Sequence, residues 1–413
     1  MTATYLTGDV FEVMATLPDA SVDLVLTSPP FLALRSYLPA DHPDKAKEIG
    51  SEPTPAEFLD TLLALTAEWG RLLAPHGSIC VELGDTYAGN KGNAADDGVT
   101  IDYYRPNAYG SSTITRTRSA HDKTGDGWPL DKSLCGIPHL YHLSLAYGRN
   151  LLTGEPSPAG MWRVRNVVAW CRPNPAVGAL GDKFRPATSY MTIATRARDR
   201  WFDLDAVRTE PTAKPQRFHS THGIGRVDAV TNERVVDRFL SDEPTNRANP
   251  AGAPPLDWWE VPTEAYPGSH YATWPRRLLE RPIDSMCPRK VCRACGEPRR
   301  RIVETERVRI SDGMVNPPRV PPTRDDAETG TTAIGIRHAV ESRRTTLGWT
   351  DCGHDDYRRG LVLDPFGGSG TTGQVAVAYG RDALLIDLDE RNVDLARQRI
   401  GMFLNVPDQE DAA

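Results

Sequence analysis

Two short stretches of this chain carry residue types suited to a single reaction. Near the C-terminus, Leu361-Val362-Leu363-Asp364-Pro365-Phe366-Gly367-Gly368-Ser369-Gly370-Thr371-Thr372 reads as a strand, a glycine turn and the start of a helix. Glycines let the backbone approach a ligand closely, and a helix N-terminus offers unpaired N–H groups. Asp387 ends the next apolar run, about 20 residues after Asp364, where nucleotide-binding sheets hold a pair of ribose hydroxyls. The spacing is not the dinucleotide G-x-G-x-x-G, because position 365 is Pro and the glycines are shifted. A glycine turn alone is a common strand–helix connection; the carboxylate at this spacing makes it a nucleoside site.

The second stretch is Thr27-Ser28-Pro29-Pro30-Phe31, directly after the apolar run Val22–Leu26. Two prolines stiffen the backbone and remove two N–H donors, so the preceding carbonyls face outward as acceptors. Taken alone this is also how a strand ends in a turn. With its hydroxyl, fixed carbonyl and aromatic plane, it is a receptor for a flat amino-heterocycle. An exocyclic amine on such a ring is a poor nucleophile, because its lone pair is conjugated. The Ser28 hydroxyl and the Pro29 carbonyl, gripping the amine hydrogens, free that pair, and Phe31 stacks on the ring.

A third set has metal chemistry. Cys292-Arg293-Ala294-Cys295 is C-x-x-C, and Cys352-Gly353-His354 supplies two more ligands. Four Cys/His ligands in two close pairs suit a structural, tetrahedral Zn2+. Cys287 is an alternative to His354. The gap between the pairs is far longer than in a compact ribbon, and reduced, metal-free cysteines are the competing reading. The gap opens with Arg299-Arg300-Arg301 and continues with Arg307 and Arg309. Those arginines suit phosphate contacts if the segment lies near a functional face, and a solvated charged loop otherwise. His219 and His222 sit in a Gly/Arg-rich stretch best read as loop.

Strands and helices must position these residues. Thr4–Thr7 is β-prone, Val10–Leu17 has helical spacing, and Val22–Leu26 is a buried strand. Pro55–Leu73 is an amphipathic helix, with Thr54 as its N-cap, Pro55 in its first position and Pro75-His76-Gly77 at its end. Ser78–Leu83 is the next strand. Ile137–Tyr147 is helical, Val164–Cys171 and Ser189–Thr195 are strands, and Pro275–Arg281 opens a helix. The chain closes as strand (Gly360–Leu363), helix (Thr371–Tyr379), strand (Ala383–Leu388) and helix (Asn392–Phe403). Alternation of this kind predicts a parallel sheet with crossover helices.

Composition limits the partners. The 413 residues carry a net charge of −7, so a uniformly basic nucleic-acid coat is excluded while a local basic face is not. The 34 glycines and 34 prolines exceed the usual share and indicate long loops. No stretch approaches the ~18–20 apolar residues of a membrane span, and no secretory signal opens the chain. Seven cysteines, four of them between Cys287 and Cys352, fit a reducing cytoplasm and a metal site rather than a disulfide framework. Cys80 and Cys171 lie within strands and read as packing residues.

These motifs together resemble the amino-methylating DNA methyltransferases, in the permuted β group where the target-amine motif precedes the cofactor motif. Thr27–Phe31 resembles the family's S-P-P-Y/F motif, and Asp364–Thr372 its D-P-F-x-G-S-G-T-T loop. Gly8-Asp9 resembles the carboxylate that holds the cofactor's adenine. Leu83-Gly84-Asp85-Thr86-Tyr87 resembles L-G-D-S-Y, and Trp170-Cys171-Arg172-Pro173-Asn174-Pro175 resembles W-x-K-P-N-P with Arg for Lys. His270-Tyr271-Ala272-Thr273-Trp274-Pro275 resembles H-F-A-T-F-P, which packs on the cofactor.

The resemblance implies a circularly permuted, Rossmann-like α/β fold and S-adenosyl-L-methionine as methyl donor. It gives catalytic roles to Ser28, Pro29, Pro30 and Phe31. Cofactor contacts fall to Asp9, Thr273, Trp274, Pro275, Asp364, Phe366, Gly367, Gly368, Ser369, Gly370, Thr371, Thr372 and Asp387. The substrate is a base flipped from double-stranded DNA. Serine before Pro-Pro is more frequent in cytosine-N4 enzymes, so N4 of cytosine is expected, with N6 of adenine as the alternative. A catalytically silent, zinc-containing DNA-binding regulator is a more distant reading, as is methylation of RNA or protein. A companion restriction endonuclease and a monomeric or homodimeric state fit such an enzyme.

Seven segments are expected along the chain. Residues 1–87 hold the target-amine half, 88–160 a polar insert, and 161–211 core strands. Residues 212–268 form a recognition insert, 269–286 the cofactor-packing segment, 287–356 the zinc-ribbon-like insert with Arg299, Arg300 and Arg301, and 357–413 the cofactor-binding part. The sheet is expected to be mostly parallel with one reversed edge strand. The inserts are expected at the carboxyl edge of the strands, where ligands bind in such sheets.

Overall fold

The computed structural model describes residues 1–34, 37–39, 41–89, 123–175, 181–209, 252–264, 274–309 and 340–407, and the backbone of four short strands beside them. The N-terminal part contains β1 (Ala3–Thr7), α1 (Val10–Thr16), β2 (Val22–Thr27), α2 (Pro55–Leu72), β3 (Leu73–Leu83), β4 (Ile101–Tyr103) and β5 (Ile114–Arg116). The middle contains α3 (Ile137–Tyr147), β6 (Arg163–Cys171), β7 (Thr188–Thr195), β8 (Arg226–Val227), β9 (Arg234–Val235), β10 (Trp258–Glu260) and α4 (Arg276–Met286). Then follow β11 (Val291–Cys292), β12 (Arg301–Arg309), β13 (Val340–Trp349), β14 (Tyr357–Arg358), β15 (Leu361–Asp364), α5 (Thr371–Ala378), β16 (Asp382–Asp387), α6 (Asn392–Ile400) and β17 (Leu404–Asn405).

Local chemistry explains the well-predicted elements. Thr54 caps α2 by accepting the Glu57 N–H at 3.3 Å, and Pro55 fills the first turn, where no N–H partner is needed. Phe58, Leu59, Leu62, Leu63, Leu65, Trp69 and Leu72 are all buried along one broad face of that helix. Its end differs from expectation. The chain passes from Leu72 directly into β3, so Pro75 and His76 lie in the strand rather than in a terminating turn. His76 is held there because its Nε2 lies 2.8 Å from Asp23 Oδ1.

Nine strands form the central sheet, in the order β10-β6-β7-β3-β2-β15-β16-β1-β17. Only β7 is reversed; it runs antiparallel to both β3 and β6. It is not an edge strand as expected, because β6 and the parallel β10 lie outside it. The N-terminal β1 sits between the C-terminal strands β16 and β17, and β15 lies between β2 and β16. Period-two alternation then divides the apolar residues between two faces. Val25, Ile79, Val81 and Leu363 pack with α1, α2 and α3; Leu24, Leu26, Cys80 and Val362 pack with α4, α5 and α6. Cys80 is fully buried, in agreement with a packing role.

The chain divides into two compact units. Met1–Ala206, Leu256–Arg300 and Asp351–Ala413 hold the sheet and its helices. Val207–Pro255 and Arg301–Thr350 form the second, in which β12 and β13 pair as an antiparallel ribbon with a register shift at Ile302/Val303. Among the described residues no helix is long and apolar enough to cross a membrane.

Candidate active site and metal cluster

The ends of β1, β2, β3, β15 and β16 meet at the carboxyl edge of the sheet. There the target turn and the glycine loop share one buried carboxyl. Asp364 Oδ1 accepts the Thr27 hydroxyl at 2.7 Å and the Phe366 N–H at 3.2 Å, and its Oδ2 accepts the Thr372 hydroxyl. Burial pushes the Asp364 carboxyl up to about 6, against the pull of these donors and with a small push from Asp387. The hydrogen bonds of Asp364 lie within the protein, and they join the two motifs.

The glycine loop is built by close approach. A Cβ on Gly367 would lie 2.9 Å from the Leu385 Cβ, and Gly370 has φ +80° with Ala396 Cβ 3.0 Å from where its own Cβ would be. Asp387 Oδ2 accepts the Gly368 N–H at 2.7 Å, while its Oδ1 takes Asp389 N and Asn392 Nδ2. The Tyr5 hydroxyl, from the neighbouring strand β1, donates to the Gly368 carbonyl at 2.8 Å. Thr371 begins α5 and accepts from Arg399 at 2.8 Å. Asp9 lies beside Asp387, since Thr7 pairs with Asp387, and its Oδ1 caps α1 through Phe11 N and Glu12 N. One group in the loop is orphaned: Ser369 Oγ is buried with no hydrogen-bond partner among the described residues. A cradle shaped by glycine, with carboxylates at its rim and a buried hydroxyl left over, fits a nucleoside-bearing cofactor.

Trp274 is buried in the core layer that includes Leu278 and Leu279, and Pro275 is the N-cap of α4. Thr273, with His270–Ala272, lies outside the described residues, as do His219 and His222.

At the target turn, the Ser28 hydroxyl donates to Glu82 Oε2 at 2.6 Å. Glu82 is 3% exposed, and its Oε1 has no hydrogen-bond partner among the described residues. Burial raises the Glu82 carboxyl above its ordinary range, opposed by Ser189, Ser28 and the Arg172 charge. Phe31 lies against Gly84, where a Cβ would come within 2.5 Å of the ring. Asp85 caps α3 by accepting Gly136 N at 2.9 Å and Ile137 N at 3.2 Å. Glu82 went unrecognised in the sequence. The available signal was a lone acid inside the otherwise apolar run Ile79–Leu83.

The four metal-ligand candidates come together. The ligand atoms of Cys292, Cys295, Cys352 and His354 all lie within 4.8 Å of one another. Sulfurs on one tetrahedral Zn2+ are roughly 3.8 Å apart, given Zn–S of about 2.3 Å, so the set fits such an ion. Cys287 is not among them; it is fully buried behind α4, beneath Gly360.

The cluster does not border the carboxyl edge, as the sequence reading expected for its insert. Tyr357 and Arg358 follow His354 directly, and Arg358 Nη2 donates to Asp23 Oδ1 at 3.0 Å, at the amino end of β2. Asp23 also accepts Leu361 N at 2.7 Å, and His76 and Arg358 together hold its carboxyl below the ordinary range despite complete burial. Arg299 and Arg300 share this amino edge. The Arg299 carbonyl accepts from Trp201 Nε1 at 2.9 Å, its guanidinium is 3.5 Å from Asp351, and Arg300 Nη1 donates to the Arg200 carbonyl. These two arginines are therefore on the side away from Ser28. Arg301 opens the ribbon of the second unit, stacked on Trp349 and bonded to Thr346.

Comparison with known proteins gives the family. The chain is 25% identical over 278 residues to the Type II methyltransferase M.Cfr9I of Citrobacter freundii, covering 67% of this chain and 70% of that protein. It is 22% identical over 397 residues to the Type II methyltransferase M.SmaI of Serratia marcescens, covering 96% and 89%. Superposition on the PvuII DNA methyltransferase (cytosine-N4-specific) gives a TM-score of 0.49 at 14% identity, over 100% of this chain and 90% of that one. Residues 22–291 and 356–398 match the N6/N4 DNA methylase family, and the chain belongs to that family of S-adenosylmethionine-dependent DNA methyltransferases.

Proposed function

We propose that this enzyme methylates N4 of cytosine in duplex DNA, with Ser28 and Glu82 as its working pair. The observation that carries the reading is the 2.6 Å contact between them. With the hydroxyl hydrogen directed to Glu82, the lone pairs of Ser28 Oγ are left to accept from the target amine. The Pro29 carbonyl accepts the second amine hydrogen, and Phe31 supplies a stacking surface. S-adenosylmethionine, when bound, supplies a methyl group made electrophilic by its sulfonium sulfur. Asp9, Asp387 and residues 366–370 would hold it. An amine that gains a methyl must lose a proton. That proton passes to Ser28 Oγ while the Ser28 proton passes to Glu82 Oε2, so one N–H bond breaks and Glu82 ends protonated. A carboxyl whose affinity for protons is raised by burial is a better acceptor at neutral pH.

Support for cytosine over adenine is the serine before Pro-Pro. Methylome sequencing of a host expressing the enzyme tests this and reveals the target sequence. N4-methylcytosine in one motif is expected; N6-methyladenine alone overturns the assignment. The permuted order is supported by the chain path, in which the target-turn strand β2 comes early and pairs with the late cofactor strand β15. A companion endonuclease is supported by the Type II relatives. A structural Zn2+ on Cys292, Cys295, Cys352 and His354 is supported by their convergence.

A further inference from the structure

The loop joining β6 to β7 projects beyond the carboxyl edge. Arg172 N donates to the Ala187 carbonyl at 2.8 Å and closes its base, and β7 then pairs Tyr190 with Leu83, the last residue of β3. Before β7 the loop reads Gly181-Asp182-Lys183-Phe184-Arg185-Pro186. Phe184 is 98% exposed, the most exposed large apolar side chain of the described residues. An aromatic ring held wholly in water forgoes the gain of burial. Single exposed apolar residues are ordinary on proteins, but this one is placed with unusual care.

The loop is pinned on both sides to the segment that follows β3. Asp182 pairs with Lys132 at 3.1 Å, and Lys183 Nζ lies 3.4 Å over the Tyr87 ring. Lys132 belongs to a turn that carries Leu130, itself 85% exposed, and is fastened to Ala88 by paired backbone hydrogen bonds. Two anchored loops thus raise two bare apolar tips at the edge that carries Ser28, with Lys132, Lys183 and Arg185 around them. The enzyme's reaction leaves a matching vacancy. A base taken out of a duplex leaves a gap in the stack and an unpaired partner base. Apolar side chains flanked by cations enter DNA at such steps.

We propose that Phe184 enters the DNA stack where the target base leaves it, with Arg185 on an adjoining phosphate. The proposal rests on the reading that the target is extruded from duplex DNA. It makes Phe184 a positioning residue: it holds the gap open and touches neither the cofactor nor the reacting amine.

The test compares Phe184→Ala and Phe184→Trp with the parent on two duplexes carrying the sequence found methylated in an expressing host. One duplex is fully paired; the other has a mismatch opposite the target base, which is therefore already loose. Phe184→Ala is expected to slow single-turnover methylation of the paired duplex roughly tenfold or more, the scale of one lost base–aromatic stack. On the mismatched duplex its rate should stay within about a factor of two of the parent. Phe184→Trp should retain the parental rate on both. With 2-aminopurine beside the target, the parent ring should stack on the probe and keep it quenched, and Phe184→Ala should differ from the parent in its fluorescence on binding. Equal rates for Phe184→Ala and parent on the paired duplex overturn the proposal, and so does an equal loss on both duplexes. A parent enzyme that methylates neither duplex overturns the underlying reading instead, and is recognised without any variant.

Discussion

The Thr27 hydroxyl donates to Asp364 Oδ1 at 2.7 Å across 337 positions of sequence. Thr27 immediately precedes Ser28, and the other oxygen of Asp364 takes Thr372 in the first turn of α5. One buried carboxyl therefore ties the turn proposed to grip the amine to the loop that would hold the methyl donor. Methyl transfer depends on the distance between them, because positioning supplies much of the rate in a group transfer.

Thr27→Val removes the donor and leaves Asp364 Oδ1 with a weaker set of partners. Thermal unfolding should show a loss of about 1–3 kcal/mol, the scale of one lost hydrogen bond to a buried carboxyl, with Oδ1 keeping the Phe366 N–H. Thr27→Ser should restore most of it. The single-turnover rate should fall in the valine variant even at saturating S-adenosylmethionine. A valine variant with parental stability and rate would remove Asp364 from its role as that tie.

Asp364 also leaves a mark on pH dependence. Its folded-state carboxyl is raised to about 6 from 3.8. The stability it contributes is then full below the unfolded value and lost as pH rises through about 6, because the folded state binds the proton more tightly. Melting curves of the parent should fall relative to Asp364→Asn as pH is raised from about 4 to about 7, by an amount on the order of 1–3 kcal/mol. Parallel curves would show that burial does not perturb this group.

Gly84→Ala should injure the target turn more than the fold. The added Cβ would lie 2.5 Å from Phe31 Cε2, so the ring must move. Activity should drop by about tenfold or more, at a stability cost of about 1–3 kcal/mol for local overpacking. Combining it with Phe31→Ala should add little, since the clash is then gone. Full additivity of the two in a double-mutant cycle would mean that Gly84 acts elsewhere.

Metal analysis of the purified chain should find about one zinc, lost in Cys292→Ser and after chelation. Loss of the metal should lower the melting temperature. The cluster connects through Arg358 to Asp23 at the amino edge, away from the glycine loop. Calorimetric affinity for S-adenosylmethionine should therefore stay within about a factor of two in the metal-free protein that remains folded. A much larger loss of affinity would place the metal in the cofactor site.

Local signals in the sequence reported local structure well. Thr54 and Pro55 announced the start of α2, and its apolar spacing named the face that is buried. The C-x-x-C pair and the Cys-Gly-His pair suggested a shared metal, but the long gap between them left metal-free cysteines as a competing reading until the four ligand atoms were seen together. What sequence could not show was three-dimensional placement. Nothing in Arg299 and Arg300 says which edge of the sheet they reach; that depends on Arg358 meeting Asp23. His76 read as a helix stop because Pro75 and Gly77 flank it, but the buried Asp23 draws it into β3. Asp364 and Asp387 carried the right spacing for ligands, but spacing did not show the internal hydrogen bonds of either, Asp364 with Thr27, Thr372 and Phe366 and Asp387 with Gly368, Asp389 and Asn392. Strands β10 and β17 are two or three residues long and carry no period to read.

In the proposed mechanism Glu82 acts through Ser28. Single-turnover methylation by Ser28→Ala, Glu82→Gln and the double variant measures this, with binding of S-adenosylmethionine and DNA followed in parallel. Each single change should slow methyl transfer by about 10²–10⁴-fold with binding retained, and the double variant should be no slower than the worse of the two. The parental acid limb of the rate profile should disappear in Glu82→Gln, because activity is lost as pH falls through the raised pKa of this carboxyl. A Glu82→Gln enzyme that transfers methyl groups at the parental rate, with the parental pH profile, would contradict the claim.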